Sequence, residues 1–216
     1  MATPLEGTQV EAVEFELPYV DGSRSFEQNK IIEQAYNESM QLLACHGRQE
    51  IPTFSYESSR LEKTLFKRRS QRGFQEGAIT KGEFNYIVDA LQQPIPSDCD
   101  EEVSVYMVIN RVLDMPIGLY KDGAYVSYGD YARQAGYLSL EQYTLSQQGA
   151  VAFFLTSKAQ NYQALYQKAG IIGQRLYVVA QYLDIGCSGI GAYYDDEVNA
   201  FVGNDEMVLY ALAIGK

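Results

Sequence analysis

The chain has very little histidine. His46 is the single one in 216 residues. A Ser-His-Asp or Cys-His triad must use it or not exist. A histidine-rich metal site is excluded. Cysteine is nearly as scarce, with three (Cys45, Cys99, Cys187) far apart and odd in number. That excludes a disulfide framework and any Cys-x-x-Cys zinc or redox pair. No apolar run reaches the length of a bilayer span, and no charged-then-apolar signal segment opens the chain. Both absences make a cytoplasmic protein the expectation. Positive charge is also short: Lys+Arg is 17 against 28 Asp+Glu, a net charge of −11. Such a surface disfavours duplex nucleic acid and anionic membrane as partners. An enzyme of this composition draws its chemistry from a bound organic cofactor.

What is present makes a globular domain. Hydrophobic residues are 46%, charged 21% and aromatic 12%, enough for a packed core without staples. Residues 1–49 read as an arm followed by a helix. Ser25 is a good N-cap, Ile32, Tyr36, Met40 and Leu43 form one apolar stripe, and Gly47 fits the stop, with His46 in the last turn. Residues 50–216 read as the main domain. A second helix is predicted from Ser59, with Glu62 as reciprocal cap and Leu61, Leu65 and Phe66 as its buried side. A third starts at Thr80, answered by Glu83, and Ile79 can staple onto Phe84. The pattern then changes to strands at 103–112, a hairpin through Asp122-Gly123, and a strand at 150–156. A helix over 173–183 is stopped by Gly186. A glycine-rich loop, Cys187-Ser188-Gly189-Ile190-Gly191, follows. Asp195 or Asp196 caps a short helix, and 207–214 closes as a strand. This mixture, without regular βαβ alternation, predicts an α+β domain.

Two stretches could carry chemistry. Arg68-Arg69-Ser70-Gln71-Arg72 gathers three guanidinium groups in an acidic chain. Guanidinium forks grip phosphate, although cations also collect at helix C-termini to offset the dipole. Gly186-Cys187-Ser188-Gly189-Ile190-Gly191-Ala192 lacks the dinucleotide-binding glycine spacing. It is either a helix stop and connector or a backbone that approaches a planar ligand closely.

Together with Phe74, Ala169 to Leu176, and the stretch from Ile185 to Gly191, these motifs resemble the nitroreductase-like FMN flavoproteins over about residues 50–216. Val105-Tyr106 through Asn110-Arg111-Val112 and Ile117-Gly118-Leu119-Tyr120 resemble the azoline dehydrogenase branch, which oxidises thiazolines or oxazolines in peptide natural-product biosynthesis. The resemblance implies a mostly antiparallel sheet flanked by helices and FMN at the interface of a homodimer. Arg68 and Arg69 would hold the phosphate and ribityl side, and Ser70 and Arg72 the pyrimidine edge. The backbone of Gly189, Ile190, Gly191 and Ala192 would line the ring, with N–H groups near Gly191 and Ala192 donating to N5. Lys216 stands just past the last strand, where the family often places a basic phosphate ligand. A lysine and a tyrosine would serve as base, the candidates being Lys158, Tyr162, Tyr166 and Lys168. The substrate would be a peptide or carrier-bound azoline. A departure is the acidic stretch at 98–102, where relatives carry a small loop that touches FMN; four carboxylates there disfavour an anionic ring. Two other readings therefore stand beside the first. One is an NAD(P)H-dependent nitro or quinone reductase, the other a flavin-free scaffold that only binds a partner.

Overall fold

The computed structural model describes residues 27–39, 50–96, 102–158 and 162–216. The chain divides into two compact units, residues 1–38 and 39–216. Helix α1 covers Lys30–Ser39. Asn29 starts it, its Oδ1 accepting from Ile31 N at 3.0 Å. Ile32 and Tyr36 of the predicted stripe are exposed. Ser25, Met40, Leu43, His46 and Gly47 lie outside the described residues.

The larger unit is built on a six-stranded sheet. Its helices α2 (Ser58–Lys67) and α3 (Lys81–Leu91) precede β1 (Ser104–Ile109), β2 (Gly118–Lys121) and β3 (Ala124–Tyr128). Helix α4 (Ala132–Leu138) and a short π-helical segment at Tyr143–Gln147 lead into β4 (Val151–Ser157). Then come α5 (Tyr162–Tyr182), β5 (Gly186–Ile190), α6 (Asp195–Val202) and β6 (Met207–Gly215). The strand order is β3-β2-β1-β4-β6-β5, and every neighbouring pair is antiparallel. The expected α+β architecture is therefore present.

The period of two along the central strands fixes the layers. Val105, Met107, Ile109, Val151, Phe153 and Leu155 join one core cluster, which α3 and α5 cover. Tyr106, Val108, Ala152 and Phe154 join a second cluster on the opposite face, under α4 and α6. Phe153 and Phe154 have no exposure, and each such side chain contributes about 1.5–3 kcal/mol of burial. The hairpin turns through Asp122 and Gly123, with φ of 49° and 85°. Two consecutive left-handed residues are what a type I′ turn requires, and glycine meets that demand at no steric cost.

The third helix starts as its sequence demands. Thr80 N donates to Glu83 Oε2 at 2.6 Å, and Glu83 N donates to Thr80 Oγ1 at 3.2 Å. Three other local readings need correction. Glu57, not Ser59, occupies the N-cap of α2, and it makes no side-chain capping bond. Ser59 Oγ donates instead to Glu57 Oε1 at 2.7 Å. The buried side of α2 is the face carrying Leu61, Thr64 and Arg68, which packs on α5. At 100° per residue Leu65 falls at the margin of that face and Phe66 opposite it, so they are 48% and 84% exposed. Tyr194 takes the N-cap of α6 without a side-chain bond, and Asp195, Asp196 and Glu197 fill its first turn. There they suit the helix dipole.

Candidate functional site

The basic motif is held in place by β5. Arg68 closes α2, its N donating to Thr64 O at 2.9 Å. The chain then runs extended beside β5. Ser70 forms a parallel bridge with Cys187, and Gln71 N donates to Cys187 O at 2.9 Å. Phe74 is buried, and Gln75 N donates to Lys216 O at 2.7 Å. The glycine-rich stretch expected as a loop is thus a strand, paired with β6 on one side and bridged by Ser70 on the other. Its glycines permit that packing. A Cβ on Gly189 would stand 2.0 Å from Tyr210 Oη and 3.3 Å from Tyr177 Oη.

Tyr177, on α5, is the hub. Gly189 N donates to Tyr177 Oη at 2.5 Å. Ser70 Oγ lies 2.7 Å from the same oxygen. With the amide donating into the phenol, Tyr177 can pass its own proton to Ser70 Oγ. The serine hydroxyl is then left to donate outward. The Arg68 guanidinium sits over the Tyr177 ring, 5.4 Å from its centroid. Arg68 Nε is buried and has no partner among the described residues. Burial pushes the Cys187 thiol well up, despite Arg68 beside it, so it remains a packed thiol. Tyr210 is likewise raised by burial, then by Tyr177 and Cys187. Sequence reading missed Tyr177 because nothing in its immediate context separates it from the other seventeen of the 18 tyrosines.

The remaining predicted cofactor residues divide. Arg69, Ser70, Arg72, Gly191 and Ala192 are exposed along this seam, and a Cβ on Gly191 would meet nothing within 4 Å. Ile190 is 1% exposed and packs into the second core cluster, so only its backbone can face a ligand. Lys216 Nζ pairs with Glu83 Oε1 at 3.1 Å, which places it at the start of α3.

The four candidate bases also separate. Tyr162 and Tyr166 are exposed and stacked, their centroids 6.4 Å apart. Tyr193, one residue past Ala192, is pushed up to about 12, mainly by burial and then by Tyr166 and Asp195. Tyr166 therefore adjoins the end of the glycine-rich segment. Lys158 and Lys168 instead line hollows at the start of β1. Lys168 is nine residues before Tyr177 on α5, about 14 Å along the axis. The stretch 97–101, with most of the expected acidic loop, lies outside the described residues, and Glu102 lines both hollows.

Asn110 and Arg111 have a scaffolding task. Asn110 Nδ2 donates to Ser146 O at 2.9 Å and Arg111 Nη1 to Gln147 O at 2.8 Å. These bonds satisfy carbonyls at the end of the π-helical segment.

The chain is thus a six-stranded antiparallel sheet flanked by helices, with an arginine-serine seam along β5. The model of the nitroreductase family matches residues 65–216, and the chain belongs to that family. Its members are oxidoreductases that typically bind FMN. A "putative nitroreductase" of Methanocaldococcus jannaschii is 22% identical over 194 residues, covering 77% of this chain and 96% of its own. The crystal structure of a "putative nitroreductase" from Anabaena variabilis superposes with a TM-score of 0.68 at 28% identity, covering 80% of this chain. This chain spans only 42% of that one. An NADPH:FMN oxidoreductase of Vibrio harveyi, solved with NAD+, shares the fold with a TM-score of 0.56 at 16% identity over 72% of this chain and 68% of its own. Among the described residues, no helix is long and apolar enough to cross a membrane, and no cluster of His, Cys, Asp and Glu could hold a metal ion.

Proposed function

We propose that this chain is an FMN-dependent oxidoreductase that takes reducing equivalents from a reduced nicotinamide and delivers them to a small planar acceptor of the nitro or quinone type. The observation that carries the reading is Arg68 Nε, buried without a partner among the described residues, beside an extended segment that presents two more guanidinium groups. A buried donor left unmatched costs about 1–3 kcal/mol, and an anionic or polyol ligand on the seam would match it. The donor set fits FMN. Arg68 and Arg69 would hold the phosphate and ribityl side. Ser70, oriented by Tyr177, and Arg72 would meet the pyrimidine edge. The Gly191–Ala192 backbone is exposed and uncrowded, so its N–H groups are open to a ring edge. Bound FMN supplies the hydride chemistry that this chain, with one histidine, does not supply itself.

A homodimer belongs to the same reading. Leu65 and Phe66 stand exposed on α2 just before Arg68, where a second copy would cover both them and the ligand. Azoline oxidation rests on the resemblance of residues 105–120 alone, much of which is core or scaffold.

The test starts with an absorbance spectrum of the purified protein after incubation with FMN. About one flavin per chain is expected, bleached by NADPH without oxygen and restored by a quinone. Arg68→Ala should weaken FMN binding at least tenfold. Unchanged retention in that variant would remove Arg68 from the site. A yellow protein indifferent to NADPH but reoxidised by oxygen after contact with a thiazoline peptide would move the function to the azoline branch. A protein that never takes up FMN would leave the scaffold reading.

A further inference from the structure

Tyr177 receives one hydrogen bond and has one proton to give. A backbone N–H can only donate, so the 2.5 Å contact from Gly189 N makes Tyr177 Oη the acceptor there. Ser70 Oγ, 2.7 Å away, takes the phenol proton. A free serine hydroxyl turns to donate or accept as its neighbour requires. Here the Ser70 oxygen is engaged from behind, and its own hydrogen is free only on the side away from Tyr177.

The phenol is held to this task. Tyr177 is buried, and the Arg68 guanidinium covers its ring at 5.4 Å from the centroid. The strand amide is just as fixed, since Gly189 packs so closely that a Cβ would stand 2.0 Å from Tyr210 Oη. The bonds therefore run one way, from a strand amide through a buried phenol to an exposed hydroxyl.

The neighbouring side chains have the same sense. Arg68, Arg69 and Arg72 only donate, and no carboxylate interrupts residues 68–72. A surface of donors gains most from the ligand with the most negative charge. Hydride uptake brings two electrons and one proton, so it adds one unit of negative charge to a bound flavin. Hydrogen bonds to a charged acceptor are roughly twice as strong as neutral ones. A serine able to turn would lose part of that gain. A serine fixed as a donor keeps it.

We propose that Tyr177 is a positioning residue that locks Ser70 as a donor, so that the seam holds reduced FMN more tightly than oxidised FMN. The inference rests on the flavin reading above. It makes FMN a cofactor retained through the reduced half of the cycle, rather than a substrate released as free reduced flavin. The preference is linked to the midpoint potential, and a tenfold change in it equals about 30 mV for a two-electron couple.

Anaerobic redox titration of the FMN-loaded full chain against a reference dye, with free FMN as standard, tests it. The wild type should have a midpoint above that of free FMN. Tyr177→Phe and Ser70→Ala should each lower it by about 30 mV, a tenfold loss of the preference. The double variant should fall no further than either single one, because both act through one hydroxyl. Tyr177→Phe keeps a ring beneath Arg68, so a role in packing alone would leave the midpoint in place. Should Tyr177→Phe fail to fold, Ser70→Ala, on the exposed segment, carries the test. A wild-type midpoint at or below that of free FMN would overturn the proposal and leave the flavin reading intact. Unchanged midpoints in the variants, or losses that add in the double variant, would do the same. A wild type that never takes up FMN would overturn the flavin reading, and this inference with it.

Discussion

Strand β5 and the start of α3 are held in opposite ways. The start of α3 is settled within four consecutive residues, where Thr80 and Glu83 exchange bonds. Strand β5 is settled by residues distant in sequence: Ser70 bridging Cys187, Tyr177 receiving Gly189 N, and Tyr210 packed where Gly189 has no side chain. A local rule can decide the first. Only the assembled sheet can decide the second. The candidate cofactor seam lies on the element that local rules describe least.

The sharpest way to break the contrast is Gly189→Ala. Its Cβ would fall inside contact distance of Tyr210 Oη, and overpacking of this kind costs about 1–3 kcal/mol. Urea denaturation should show that loss. Gly189→Ala combined with Tyr210→Phe should recover part of it, because the offending oxygen is gone. An unaffected single variant would mean that β5 accommodates a side chain and is less fixed than its pairing suggests.

Tyr177→Phe comes next. It leaves the buried-side Gly189 N–H and the Ser70 hydroxyl without their common partner, a loss of about 1–2 kcal/mol. It should also loosen FMN binding through Ser70, so stability and flavin affinity should fall together.

Thr80→Ala should cost about 1 kcal/mol, the usual worth of an N-cap side chain, with no change in flavin uptake. The smallest effect is one of pH. Burial pushes the Glu83 carboxyl up, but the Thr80 N–H, Lys216 and the Thr80 hydroxyl more than offset this and hold it below the usual value of 4.5. A carboxyl depressed in the folded state contributes stability above its unfolded value and loses it as pH falls through its folded value. Stability should therefore decline in that acid window, less steeply in Lys216→Met, as acid melting curves of the two proteins would show.

The same contrast explains what could be read in the sequence. Thr80-x-x-Glu83, Asp122-Gly123 and the β-branched run at 103–112 each act on their own neighbours, and each forms the element expected of it. The stretch 186–190 has too many glycines to look like a strand, and its pairing with β6 is invisible until the sheet exists. Leu65 and Phe66 look like a core face, but the packing of α2 on α5 rotates them outward. Within the candidate site, Arg68, Ser70 and the glycines were legible as a motif. Tyr177 was not, because its role comes from facing Gly189 across the fold. The lysines show the same limit. Helix α5 begins eleven residues earlier than the helix read from Gly173 onward, and that added length carries Lys168 away from the seam to the hollow at the start of β1.

The two margins of the sheet differ as well. At β5 the outer side is closed by the Ser70 bridge. At β3, pairing with β2 is the sole ladder among the described residues, and Tyr125, Val126 and Tyr128 stand 52%, 49% and 70% exposed. No lysine, proline or acidic side chain lies within Ala124–Tyr128 to discourage a foreign strand. That guard falls to the molecule as a whole, whose net charge of −11 sets up long-range repulsion between copies. Repulsion of that kind is colloidal and fades as salt shortens the screening length. Pairing of copies along the β3 edge is therefore expected to rise with ionic strength.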